Sequence, residues 1–188
     1  MMPVANSGAK MTATLITRVL GVSALAATGL MAVLGLVISP PDVVQGEAVR
    51  MLYIHVPSIW IAYGGFALTS ISSILFLRRS RRRPDQGRHY DRLAGSAAEV
   101  GVVFTAITLI TGMLWGKVTW GTYWQWDARL TTTVLLFVTY LGYLALRRLP
   151  AEPAVRSRRA AVMALISFIN VPIVHYSVDW WRTLHQKA

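Results

Sequence analysis

The stretch that decides the fold is MLYIHVPSIWIAYGGFALTSISSILFL, which runs from Met51 to Leu77. Its 27 residues include no acid, lysine or arginine, and His55 is its one histidine. About 20 consecutive apolar residues are enough for a helix to cross the roughly 30 Å hydrocarbon core of a bilayer. A helix is the expected form, because lipid offers no partners for unpaired backbone groups. The stretch therefore predicts a transmembrane helix.

Four further apolar segments accompany it, and the chain as a whole is 54% hydrophobic and 14% charged. That balance is too apolar for a soluble domain. We therefore expect an all-α, polytopic membrane helix bundle that forms one integral membrane domain over residues 1–188. The first segment is too long for a signal-peptide core and is predicted to be a retained helix. The four segments are Val19 to Ile38, Leu93 to Gly116, Leu130 to Leu146 and Ala160 to Val178.

The distribution of positive charge predicts the orientation. The net charge is +11, and 14 of the 19 Lys and Arg precede the first segment or lie in alternate connections. This asymmetry predicts a cytoplasmic N-terminus, five crossings and an external C-terminus. The run from Arg78 to Arg83 is expected to contact anionic lipid rather than nucleic acid. The 14 residues are Lys10, Arg18, Arg78, Arg79, Arg81, Arg82, Arg83, Arg88, Arg92, Arg147, Arg148, Arg156, Arg158 and Arg159. We expect residues 78–92 and 150–159 to be polar cytoplasmic loops.

A tryptophan-rich loop over residues 116–129 is predicted on the external side. Trp120, Trp124 and Trp126 do not follow helical spacing cleanly, because only the first two are four residues apart. Such a surface suits a flat, apolar ligand. Trp115 borders the loop and is also a candidate ligand contact, although an interfacial aromatic belt explains it as well. Asp127 is expected to cap the fourth helix.

Two histidines are predicted at the same external side as this loop. His55 lies close to Pro57, and His175 lies close to Pro172. A single membrane histidine is most often bonded to backbone or water, but an ionisable residue near hydrocarbon is a functional candidate. Because neutral imidazole ligates metals, including haem iron, the pair predicts a bis-histidine haem site. His185 is the main alternative to His175.

External arginines complete the predicted site. Haem carries two propionates, and guanidinium binds carboxylate through two hydrogen bonds. Arg50 and Arg129 are the candidates, although each is also explained as a solvated interfacial charge. The sequence contains no cysteine, so thiolate ligands are excluded. No catalytic triad or carboxylate pair is visible, which favours a component that binds and transfers its ligand over a conventional enzyme.

The segment from Trp120 to Thr131 resembles the WWD signature of the haem-handling proteins of cytochrome c maturation. The contexts of His55, Lys117 and His175 are similar to those of the haem exporter protein C (CcmC) family. The resemblance implies that His55 and His175 are axial ligands to haem b (iron protoporphyrin IX). It also implies that the macrocycle is held by the WWD residues of the loop. These are Trp120, Gly121, Trp124, Trp126 and Asp127.

The same resemblance implies partners and a location. The partners would be haem, the periplasmic haem chaperone CcmE, and the subunits CcmA, CcmB and CcmD. The location would be the bacterial inner membrane, with the functional face in the periplasm. Members of this family usually have a sixth helix, which would follow the point where this sequence ends at Ala188.

Two other functions fit parts of the pattern. A b-type electron-transfer cytochrome would also use paired histidines, but it often carries a second buried pair. A haem permease would need a path across the bilayer, whereas the unusual residues gather at one predicted face.

Overall fold

The computed structural model describes residues 14–80 and 82–185, without the side chains of residues 84 and 85. Lys10, Arg81 and Lys187 of the charge pattern lie outside the described residues. The chain divides into two compact units, Met1–Pro40 and Pro41–Ala188. In the first unit, helix α1 spans Leu15–Ala32 and continues as a π-helical segment over Val33–Ile38. Thr14 caps α1, because its hydroxyl accepts a hydrogen bond from the amide of Thr17 at 3.3 Å.

The second unit contains five α-helices and one short 3₁₀ helix over Glu47–Met51 within its described part. Five helical spans across the described chain, α1 included, are long and apolar enough to cross a membrane. The all-helical fold class is thereby confirmed. The helices of the second unit are α2 (Leu52–Arg79), α3 (Pro84–Trp120), α4 (Ala128–Leu146), α5 (Pro153–Phe168) and α6 (Asn170–Trp180).

The last membrane span is broken between α5 and α6. Pro172 lies in the first turn of α6 and has no backbone N–H to donate to the carbonyl of Phe168, so the helical ladder is interrupted there. Asn170 follows the break, and its side-chain amide donates to the carbonyl of Thr132 on α4 at 2.7 Å. As a result α5 packs mainly on α2 and α4, whereas α6 packs mainly on α4.

The two predicted cytoplasmic loops are shorter than expected. Helix α3 begins at Pro84 and helix α5 at Pro153, so much of residues 78–92 and 150–159 is helical. Proline suits the first turn of a helix, where its missing N–H costs nothing. Glu152 caps α5 with both carboxylate oxygens, on the amides of Ala154 and Val155. The abundant arginines indicated loops, yet five of them lie near the beginnings of α3 and α5. These are Arg88, Arg92, Arg156, Arg158 and Arg159.

The tryptophan-rich loop is also shorter than residues 116–129. Helix α3 continues to Trp120, and Gly121 ends it with a φ of 76°, in the left-handed region that favours glycine. Helix α4 begins at Ala128, so residues 121–127 form the loop. The predicted cap is confirmed, because the Asp127 carboxylate accepts a hydrogen bond from the amide of Leu130 at 2.8 Å.

Small residues bring α2 and α3 into close contact. A Cβ at Gly65 would lie 2.9 Å from the carbonyl oxygen of Ala97, and one at Gly101 would lie 2.5 Å from the Phe66 ring. Phe66 also stacks on Tyr140 of α4, with ring centroids 3.7 Å apart. Close approach through small residues is how membrane helices gain packing energy where the hydrophobic effect is weak.

At the end of the second unit where α3 begins, α3 and α4 are joined by an ion pair. Arg147 binds Asp91 through two hydrogen bonds of 2.7 and 3.1 Å and also donates to the Tyr143 hydroxyl at 3.3 Å. Burial works against the charge of Arg147, but the bonds to Asp91 and Tyr143 outweigh it and raise its pKa. Gly95 leaves room for this guanidinium, since a Cβ there would lie 2.9 Å from Nε.

Candidate functional site

A cavity of about 350 Å³ lies at the opposite end of the second unit, where α2 and α4 begin and α3 and α6 end. His55, His175 and His185 all line it, together with Trp115 and Arg129. Its aliphatic walls come from Leu52, Val56, Ile59, Leu109, Leu130 and Val174. The volume is within the range of pockets that bind small organic ligands.

His55 is held against α3 by its Nδ1 atom. That nitrogen lies 3.0 Å from the carbonyl oxygen of Thr108 and 3.2 Å from the Thr111 hydroxyl. A carbonyl oxygen accepts only, so Nδ1 carries the hydrogen and the neutral ring keeps its lone pair on Nε2. Gly112 makes this position possible, because a Cβ there would lie 2.9 Å from Cε1 of the imidazole. His55 is thus fixed in the tautomer that ligates a metal through Nε2.

His185 is held in the same way by Asp127. Its Nδ1 lies 2.8 Å from one carboxylate oxygen, and the same oxygen accepts from the Leu184 amide at 3.3 Å. Burial lowers the pKa of His185, and the nearby Arg129 charge adds to this, so they outweigh the opposing effect of Asp127. This shift favours the neutral imidazole, whose lone pair is then on Nε2 because Nδ1 donates to the Asp127 carboxylate. The Trp120 ring packs edge-on against the imidazole, with centroids 4.8 Å apart.

His175 is surrounded by rings instead of hydrogen-bond partners. Its imidazole centroid lies 5.9 Å from that of Trp60, 6.3 Å from that of Tyr63 and 4.9 Å from that of Tyr176. No hydrogen bond links the imidazole to any residue in the described part of the chain. The backbone of His175 does form a side-chain hydrogen bond, since its carbonyl oxygen accepts from Nη2 of Arg129 at 2.9 Å.

The two predicted arginines have different surroundings. Arg129 lines the cavity, and its Nε is buried without a hydrogen-bond partner among residues 14–80 and 82–185. A buried donor in this state is costly and is expected to be satisfied by a bound acceptor. Arg50 is not among the lining residues, and its Nε forms a salt bridge of 2.8 Å with Glu47. The structure thus brings Arg129, but not Arg50, to the cavity.

The tryptophans of the predicted surface fall into two groups. Trp115 lines the cavity, and its ring packs edge-on on Trp120, with centroids 5.3 Å apart. Trp124 and Trp126 pack on each other, with centroids 5.2 Å apart, and do not line the cavity. The Trp126 side chain is 76% exposed. Gly121 lies between the two groups and ends α3.

Several residues that contribute to the site could not be recognised from the sequence. Gln45 accepts a hydrogen bond of 3.0 Å from the Trp115 indole, and Thr108 and Gly112 position His55. The threonines at 108 and 111 and the glycine at 112 recur at the three- and four-residue spacing of one helix face, which is also common in packing. Only their contact with His55, more than fifty residues away, distinguishes them.

The donor set of the cavity suits a porphyrin that contains iron. Neutral imidazoles are common axial ligands, the aliphatic and aromatic walls suit the ring, and the unpartnered Arg129 donor suits a carboxylate. No cluster of three or more His, Asp or Glu that could hold a bare metal ion is found among the described residues. The residues present therefore fit a large metal complex better than a free cation.

Comparison with known proteins agrees with this chemistry. The sequence model of the family described as "Heme exporter protein C" (CcmC) matches residues 2–188. The chain belongs to this family. It is 44% identical over 168 residues to Heme exporter protein C of Bradyrhizobium diazoefficiens, which covers 87% of this chain and 61% of that protein.

Two further relatives have slightly lower sequence identity to this chain. Heme exporter protein C of Escherichia coli K12 is 37% identical, covering 80% of this chain and 59% of that protein. A ccmC-like mitochondrial protein of cytochrome c biosynthesis from Marchantia polymorpha is 40% identical, covering 80% and 61%. The chain thus spans about three fifths of the length of these curated relatives. Together with its five apolar spans, family membership makes it a multi-pass membrane protein.

Proposed function

We propose that this protein binds haem in the cavity as a transient cargo and presents it to a haem chaperone during cytochrome c biogenesis. One observation carries the proposal. Imidazoles from α2, from α6 and from the segment after α6 line a single cavity, beside a buried arginine with a free donor. The names of the relatives, which refer to haem export and cytochrome c biosynthesis, support it.

The hydrogen bonds favour His55 and His185 as the ligand pair. Each donates from Nδ1 to a fixed oxygen, Thr108 O or an Asp127 carboxylate, which orients the ring and leaves Nε2 available. His175 was the partner predicted from the sequence, and it remains the alternative because it lines the same cavity. With His55 and His185 on the iron, His175 would contact the ring edge together with Trp60 and Tyr63.

Other residues would hold the porphyrin and its acidic groups. The Nε of Arg129 would donate to a propionate, and its burial without a hydrogen-bond partner among the described residues supports this role. Trp115 would contact the ring directly, while Trp120 supports both Trp115 and His185. Arg50 is engaged with Glu47 and would need to exchange that partner to reach a propionate.

The partners and the location follow the family. We propose haem b as the cargo, CcmE as the acceptor, and CcmA, CcmB and CcmD as neighbouring subunits. The cavity end would face the periplasm from the bacterial inner membrane. The charge asymmetry of the sequence supports this orientation, since residues 78–92 and 147–159, next to the helix ends distant from the cavity, contain 12 of the 19 Lys and Arg. The exposed Trp126 lies in the 121–127 loop, where an acceptor would approach.

Titration of the purified full chain with hemin tests the ligands. His55→Ala and His185→Ala are each expected to weaken binding at least about tenfold and to change the spectrum from low-spin to high-spin. The matched control is His89→Ala, because His89 packs on Tyr90 outside the cavity. If His175→Ala instead of His185→Ala produces the spectral change, the sequence-predicted pair is correct. Wild-type binding in all three single variants would refute the haem site.

Presentation is tested separately with an acceptor. Haem-loaded protein is mixed with purified CcmE, and the haem bound to CcmE is measured over time. Trp126→Ala is expected to slow the transfer while hemin affinity stays unchanged, because Trp126 does not line the cavity. Transfer at the wild-type rate would remove Trp126 from the acceptor surface. Haem retained by the protein after CcmE is added would contradict the carrier role.

A further inference from the structure

A second concave surface lies far from the haem cavity, between the end of α4 and the beginning of α5. It is an open groove of about 550 Å³ with two guanidiniums, Arg158 and Arg159, among its lining residues. The rest of its lining is aliphatic or thioether side chains. These are Leu146, Val155, Val162, Met163 and Ile166.

The positive charge in this groove has no partner within the described part of the chain. Neither Arg158 nor Arg159 forms a salt bridge or hydrogen bond with a residue that the structure describes, and both are exposed. The nearest acid along the chain, Glu152, uses both carboxylate oxygens to cap α5. The nearby Arg147 is already bound to Asp91. The groove therefore presents two uncompensated cations.

The apolar part of the groove continues directly from these charges. Val155, Arg159, Val162 and Ile166 recur at three- and four-residue spacing, so they share one face of α5. Val162 is 45% exposed and Ile166 is 60% exposed. This face lies within a span that is apolar enough to cross a membrane, so hydrocarbon is its natural neighbour.

We propose that the groove between α4 and α5 is a binding site for an anionic phospholipid. The phosphate would bind Arg158 and Arg159, and an acyl chain would lie along Val162, Met163 and Ile166. Charge complementarity argues for this occupant, because basic pockets at the membrane surface bind anionic headgroups. A helix of another subunit would cover the apolar face but would leave the two cations unpaired unless it also carried acids.

Native mass spectrometry of the detergent-purified full chain tests the site, with dioleoyl phosphatidylglycerol and dioleoyl phosphatidylcholine as probes. The wild type is expected to retain the anionic lipid about tenfold more tightly than the zwitterionic one. The double variant Arg158→Gln/Arg159→Gln is expected to bind both lipids within about twofold of each other. The matched control Arg88→Gln/Arg92→Gln removes the same charge from two exposed arginines of α3, outside both the groove and the Arg78 to Arg83 run, and should keep the preference.

Two further arms separate the headgroup from the acyl chain and from misfolding. Val162→Trp fills the apolar part while keeping both arginines, and it should weaken phosphatidylglycerol binding. Inorganic phosphate at an equal concentration should not displace the lipid. The proposal is overturned if the control pair loses the preference equally, if the groove pair keeps it, or if phosphate alone displaces the lipid. Circular dichroism of each variant establishes that the helices are retained.

Discussion

At both ends of the second unit, a glycine of α3 leaves room for a side chain from another part of the chain, but the two side chains differ in how fully they are hydrogen-bonded. At the cavity end, Gly112 leaves room for His55, and at the other end Gly95 leaves room for Arg147. In each case a Cβ on the glycine would lie 2.9 Å from the side chain. Arg147 is bound by Asp91 and Tyr143, whereas His55 is held by one nitrogen and keeps the other available. The satisfied arrangement is a structural link between helices, and the incompletely satisfied one has the features of a binding site.

The largest expected effect is at the structural link. Arg147→Met leaves the largely buried Asp91 carboxylate without its partner, so the free energy of unfolding should fall by about 2–3 kcal/mol. Unfolding in mixed micelles with increasing dodecyl sulfate measures this. Arg148→Met, at an exposed neighbouring position, should change it by no more than about 0.5 kcal/mol. An equal loss in both variants, or a change in hemin affinity for Arg147→Met, would contradict the division between the two ends.

Asp127→Asn should affect the cavity end more than stability. The amide oxygen can still cap Leu130, but the amide nitrogen cannot accept the hydrogen bond from His185. Hemin affinity is expected to fall by about tenfold to a hundredfold, as when the outer partner of a metal-bound histidine is lost. Asp127→Ala, which also removes the cap, should lower stability by about a further 1 kcal/mol. Unchanged hemin affinity in Asp127→Asn would favour His175 as the second ligand.

A pair of glycine variants compares the two ends directly. Gly112→Ala should push the His55 ring away from Thr108 and weaken hemin binding by about tenfold, with little change in unfolding. Gly95→Ala should instead lower stability by about 1 kcal/mol and leave hemin affinity unchanged, because it displaces the Arg147 guanidinium. Hemin titration and unfolding of both variants provide the test. If both substitutions change hemin affinity and the free energy of unfolding in the same way, the proposed difference between the two ends is wrong.

The smallest effect is expected at Gln45. Gln45→Leu removes the acceptor of the Trp115 indole hydrogen and should destabilise the protein by about 1 kcal/mol. Gln45→Glu keeps an acceptor at the same place and should retain most of that stability. Unfolding of both variants in mixed micelles, followed by far-ultraviolet circular dichroism, measures the difference. A larger loss in the Glu variant than in the Leu variant would mean that this hydrogen bond contributes little.

The fold was largely predictable because lipid imposes one dominant rule. Hydropathy placed the second helix at Met51 to Leu77, and the structure has it at Leu52–Arg79. The errors lie at charged helix ends, where α3 begins at Pro84 and α5 begins at Pro153. At these ends the helices continue through arginine-rich sequence beyond their apolar segments. Counting charged residues cannot distinguish such a helix end from a polar loop. The family resemblance is confirmed by the match to the CcmC model.

The site was less predictable because its geometry depends on contacts between distant segments. His55, His175, Trp115 and Arg129 line one cavity, and each carried a signal of its own in an apolar or tryptophan-rich context. Their use as haem contacts stays a prediction. The expected role of Arg50 did not allow for Glu47, three residues earlier, which pairs with it on the same helical turn. The bond between Asp127 and His185 joins residues 58 positions apart, so no local pattern indicates it.

The break at Ile169 divides one membrane span into two helical segments, α5 and α6. Since α6 is only eleven residues long, it covers about 16 Å, or roughly half of the hydrocarbon thickness. It packs mainly on α4, and the ring of His175 on α6 contacts the rings of Trp60 and Tyr63 on α2. Rings turn about single bonds without moving a backbone. On the side between α2 and α6 the cavity is therefore bordered by rings that can change rotamer, and we expect the cavity to adjust its width there when a ligand binds.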